Sequence, residues 1–96
     1  MSEPARPIPR STYLLEHYRP GATAAELGRL ATRVRAAFDD LERGGRSVRF
    51  RHSTVVAADE SILCVVEAAS EDLVRLASDR ASVTVERISA AHTEQS

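Results

Sequence analysis

Residues 47–68 read SVRFRHSTVVAADESILCVVEA, and the order of strands in the whole chain turns on this stretch. Two runs rich in Val, Ile, Phe and Thr flank the short segment Ala57-Ala58-Asp59-Glu60, the pattern of two strands joined by a hairpin turn. In the first run Val48, Phe50, His52 and Thr54 share one parity and Arg49, Arg51 and Ser53 the other, which predicts one polar face. In the second run Ile62, Cys64, Val66 and Ala68 alternate with Leu63, Val65 and Glu67.

Upstream of the hairpin lies a helix with clear ends. Thr23 and Glu26 stand at the spacing of a capping box, in which each residue satisfies a backbone N–H of the other. Leu27, Leu30, Val34, Phe38 and Leu41 then recur at steps of three and four, an apolar stripe on one helix face. Gly44 and Gly45 close it by admitting positive φ. Before the helix, STYLLEHYRPG reads as a strand stopped by a Pro20-Gly21 turn. After the hairpin, Ser70 caps a short helix with Glu71 and Asp72 at the positive end of its dipole and Leu73, Val74, Leu76 and Ala77 on its apolar side. SVTVERIS, with Val83, Thr84, Val85 and Ile88, predicts the last strand.

Strand, helix, strand, strand, helix, strand is the split βαβ order. The predicted fold is therefore α+β and ferredoxin-like (βαββαβ), a four-stranded antiparallel sheet with two helices on one face. The other face, with Leu63 and Val65 beside Glu67, is mixed, and a sheet-to-sheet homodimer around a small cleft is the arrangement expected to cover it. Pro4, Pro7 and Pro9 make residues 1–10 an expected flexible arm, residues 11–91 the ferredoxin-like domain and residues 92–96 a frayed tail.

Composition removes several function classes. With 96 residues there is room for one core and no second catalytic domain. Thirteen basic residues, all Arg, against 14 acidic ones give a net charge of −1, which does not attract a phosphate backbone. Phe50 alone stands where an RNA-recognition sheet needs several stacking aromatics, so no nucleic-acid partner is expected. No apolar run reaches the ~20 residues that span a bilayer, and one cysteine forms no internal disulfide. The N-terminus has no signal-peptide core. A cytoplasmic protein without a membrane partner is expected.

Three pieces, TYLLEHYRPG, FRHSTVVAADESILCVVEAASED and VERISA, resemble a bacterial family of domains of unknown function that includes an actinobacterial nickel-binding protein of ferredoxin-like fold. The likeness covers most of residues 12–91, and its most specific piece is Cys64-x-x-Glu67-Ala68. The resemblance implies dimers formed through the sheet and makes nickel a possible cofactor. The chain departs from the family where the second helix often continues into a histidine and a Gly-x-Pro turn: VRLASDRASVTVERI has neither, so a metal site that needs that histidine does not carry over.

The candidate site residues fall into two sets. Cys64, with His17 or His52 and a carboxylate, is the metal set, although the ligands lack the closely spaced pairs of a strong metal motif. Against it stands Cys64 as a small apolar residue among Ile62, Val66 and Ala68, its thiolate disfavoured by burial. Glu16 and Glu67, on the parity opposite to His17 and Cys64, form the second set with Arg51 and Ser53. Two converging carboxylates would make an acid/base or ligand-binding pair, and an intervening Arg would make them an interface network. The expected function is a small dimeric binding protein that holds a nickel-like metal ion or a small organic molecule in its inter-sheet cleft. The competing readings are a dimeric α+β-barrel enzyme, either an isomerase or cyclase or a cofactor-free monooxygenase, and a protein-interaction module without a ligand. Haem-degrading barrels use Asn and Trp, and this chain has neither.

Overall fold

The computed structural model describes residues 9–92. The expected arm over 1–10 and tail over 92–96 lie outside these residues except at positions 9, 10 and 92. The elements are β1 (Ser11–Tyr18), α1 (Ala24–Arg43), β2 (Val48–Val56), β3 (Ser61–Ala68), α2 (Glu71–Ala81) and β4 (Arg87–Ala91), with one turn of 3-10 helix at Ala57–Asp59. The sheet order is β2-β3-β1-β4 and every neighbouring pair is antiparallel. This is the ferredoxin-like α+β arrangement that the element order predicts.

Local signals set the ends of α1. Thr23 Oγ1 accepts from the Glu26 N–H at 3.1 Å and Glu26 Oε1 accepts from the Thr23 N–H at 3.0 Å, the complete capping box. At the other end the Arg46 N–H reaches the Leu41 carbonyl and the Gly45 N–H the Glu42 carbonyl, a Schellman closure with Gly45 at φ +91°. Only Gly45 uses positive φ there, while Gly44 stays at −77°. The stripe from Leu27 through Val34 and Phe38 to Leu41 is buried against the sheet, and Phe38 meets Phe50 of β2 with ring centroids 6.1 Å apart. Ser70 caps α2 through the Leu73 N–H, and Val74, Ala77 and Ala81 turn inward.

Two expectations are corrected. Val83, Thr84 and Val85 belong to no strand, because Ser82 adopts a left-handed conformation and the Val83 N–H turns back onto the Ser78 carbonyl, so β4 starts only at Arg87. Val83 is buried in the core as a connector residue and Val85 packs against it, while Thr84 is exposed. In β2, the register with β3 slips between Phe50 and His52, leaving Arg51 as the extra residue of a bulge. That slip reverses the parity beyond it. Phe50 lies opposite Val66 on the helix side, but His52 lies opposite Val65 and Thr54 opposite Leu63 on the open side. Ser53 lies opposite Cys64 and so shares its helix-side parity.

Candidate functional site

β1 and β3 are the central strands, and their register sorts the chemistry-bearing residues onto two sides of the sheet. On the helix side Leu15 pairs with Cys64 and His17 with Ile62, and all four are fully buried. Cys64 is a free thiol whose pKa burial pushes up to about 12, so at neutral pH it is protonated and a poor nucleophile. His17 Nδ1 lies 3.2 Å from the Thr84 carbonyl oxygen. A carbonyl only accepts, so Nδ1 carries the hydrogen and Nε2 the lone pair. That Nε2 is buried with no hydrogen-bond partner among the described residues. Burial lowers the His17 pKa below 6.5, the Thr84 bond works in the opposite direction, and the nearby Arg19 and Glu86 charges act in opposite senses on a smaller scale.

Arg19 completes a latch over this histidine. Its guanidinium donates to the Thr84 carbonyl at 2.6 Å and to Glu86 Oε1 at 2.8 Å, while Glu86 Oε2 accepts from the Tyr18 N–H at 2.9 Å. The connector between α2 and β4 is thereby tied to the end of β1. Residues 65 to 68 positions apart in sequence make these bonds, and no short motif announces them.

The open side is a mixed surface. Leu14, Leu63 and Val65 are half-buried at its centre. Glu16 sits 3.7 Å from Arg87 of β4, and Glu67 sits 3.8 Å from Arg51 and 4.0 Å from Arg10. His52 is exposed on the same side beside Val65.

Of the expected set Glu16, Arg51, Ser53 and Glu67, only Arg51 and Glu67 come together. Glu16 is opposite Leu63, four residues from Glu67 along β3, so the two positions are offset by about 13 Å of strand. The bulge places Ser53 on the other face. The metal set is divided too, since His17 and Cys64 lie behind the sheet and His52 in front of it. Among the described residues no three His, Cys, Asp or Glu side chains gather to hold a metal ion. The described residues of one chain thus do not by themselves form a nickel centre. No described helix is long and apolar enough to cross a membrane.

A ferredoxin-like α+β domain with one face sealed by helices and one mixed, helix-free face is the class that this geometry defines. Within that class, the chain belongs to the family of nickel responsive proteins like SCO4226, which it matches over residues 13–90. The crystal structure of SCO4226 from Streptomyces coelicolor A3(2) is similar, with a TM-score of 0.70 at 20% identity over 88% of this chain and 100% of that one. At that identity the likeness is one of fold. No curated protein matches the chain in sequence.

Proposed function

We propose that this chain is a homodimeric binding protein that closes two helix-free sheet faces on one another and holds a metal ion, nickel first, or a small organic molecule in the cleft between them. The observation that carries the reading is the half-buried apolar centre Leu14, Leu63 and Val65, framed by the Glu16–Arg87 and Arg51–Glu67–Arg10 pairs. An apolar centre with a charged frame is the layout of an interface, and an isologous contact buries it on both copies at once. The nickel-responsive name of the family supports the choice of metal. The donors that such a cleft offers are His52, Glu16 and Glu67 from two copies, whereas His17 and Cys64 stay behind the sheet.

Sedimentation of the native protein is expected to give a dimer, and Leu63→Arg a monomer with an unchanged far-UV spectrum. Calorimetric titration of metal-stripped, tag-free protein with nickel is expected to give saturable binding that His52→Ala abolishes and Cys64→Ala preserves. A native monomer would sink the dimer reading. Nickel binding that depends on Cys64 would move the site behind the sheet, and absence of heat would leave an organic ligand of the cleft.

A further inference from the structure

The metal donors on the open side are few, and most of them are already engaged. Glu67 stands between Arg51 and Arg10, and Glu16 beside Arg87, so each open-side carboxylate has a guanidinium group that competes with a metal for its oxygens. His52, exposed beside Val65, makes no hydrogen bond or ion pair with a described residue. Nickel takes about four to six ligands. One imidazole from each of two copies leaves most of those positions to groups that the described residues do not supply.

The arginines are the complementary observation. Arg51 Nε lies 3.8 Å and Arg10 Nη1 4.0 Å from Glu67, and Arg87 Nε lies 3.7 Å from Glu16, all beyond hydrogen-bond distance. Off this face the Arg19–Glu86 and Arg75–Glu71 pairs close to 2.8 and 2.9 Å. Arg51 and Arg87 donate no hydrogen bond to a described residue, and Arg10 donates one, to Ser47 Oγ at 3.1 Å. Arg49 is bonded away from the face, to Glu42 of α1 at 3.0 Å. Arg10, Arg51 and Arg87 against Glu16 and Glu67 leave the open side of each copy with surplus positive charge, and closing two such faces doubles it in a cleft of reduced dielectric. That field repels a bare divalent cation and draws in an anion with several carboxylates, which free guanidinium forks hold well.

We propose that the metal enters the cleft as an anionic chelate, already held by a small organic polycarboxylate. His52 supplies an imidazole to the metal, Arg51 and Arg10 hold outer carboxylate oxygens of the chelator, and Leu14, Leu63 and Val65 form the apolar wall. The inference rests on the proposed inter-sheet cleft and adds the chemical form in which the metal arrives. It resolves the disagreement between a nickel responsive family and described residues that gather no metal cluster.

Equilibrium dialysis of the native protein with citrate as the probe chelator tests this by the sign of the response. Total nickel is fixed below saturation and citrate is raised from none to equimolar with the metal. Citrate lowers free nickel, so a site for the bare ion loses metal as citrate is added and a site for the chelate gains it. Bound nickel is expected to rise about tenfold in the native protein and to fall in Arg51→Gln. Arg51→Lys, which keeps the charge, should restore part of the rise and controls for the fold at the bulge. His52→Ala should lose nickel with and without citrate. Native protein whose bound nickel falls with citrate overturns the inference and leaves the bare-metal cleft standing. A rise that Arg51→Gln leaves intact overturns it as well, and so does labelled citrate bound equally without nickel, the mark of a plain anion site. Absence of bound nickel in either form overturns it together with the metal reading of the cleft.

Discussion

On the helix-covered side of the sheet Leu15, Ile62, Cys64 and Val66 are fully buried, while on the open side their chain neighbours Leu14, Leu63 and Val65 are half-buried. The same alternating strands build both surfaces, and the helices distinguish them. Burial behind the sheet withdraws the thiol of Cys64 and the imidazole of His17 from solvent and suppresses their charged forms. In front, His52 and the Glu–Arg pairs stay accessible. The lone thiol and one histidine therefore lie on the side least able to use them.

The largest effect that tests this contrast is expected from Phe38→Ala. Removing a fully buried ring that faces Phe50 costs about 3–5 kcal/mol, read as a fall in the urea midpoint. Leu63→Ala, on the open side, should change monomer stability far less and act on association. A loss of fold stability from Leu63→Ala equal to that from Phe38→Ala would erase the distinction between the faces.

Cys64 comes next. Cys64→Ala should cost about 1–2 kcal/mol through lost packing, and Cys64→Ser more, because its hydroxyl enters an apolar layer. With a thiol pKa of about 12, the native protein should resist a thiol reagent at pH 8 and react promptly in denaturant. Rapid labelling of native protein would mean that the helix-covered side opens easily.

His17 gives the pH dependence. Its folded pKa is below 6.5, so the unfolded chain takes up the proton first as the solution is acidified. Stability from this group is intact above pH 6.5 and declines as the pH falls through that value toward the lower folded pKa. Comparison with His17→Leu isolates the effect: the parent should lose ground to the variant below pH 6.5 and hold a constant difference above it. A difference that stays flat with pH would show that His17 is not held neutral.

Smallest is the open-side ion pair. Glu67→Gln should change monomer stability by less than about 1 kcal/mol, since both Arg51 and Glu67 are substantially exposed. Its measurable consequence should be in association and ligand binding.

Much of the fold was legible in the chain because it is written in short-range patterns. The capping box at Thr23 and Glu26, the stripe from Leu27 to Leu41 and the alternation from Ile62 to Ala68 each need only a few consecutive residues to act. Even the seclusion of Cys64 followed from its parity. The candidate site was less legible. One bulge residue, Arg51, sends His52 to the open side and Ser53 to the other, and a single slip of this kind leaves no mark in a pattern of period two. β-Branched Val83, Thr84 and Val85 favour a strand locally, yet the turn at Ser82 and the bonds to Ser78, His17 and Arg19 hold them as a connector.

Sequence by itself determined the kinds of element, their order and the side of β3 that is buried, since hydrophobic periodicity and capping act within a few residues. Tertiary structure alone decided which charges meet on the sheet. Glu16 finds Arg87 and Glu67 finds Arg51 and Arg10, while the two carboxylates stay apart, because pairing register is a long-range property set when distant strands align.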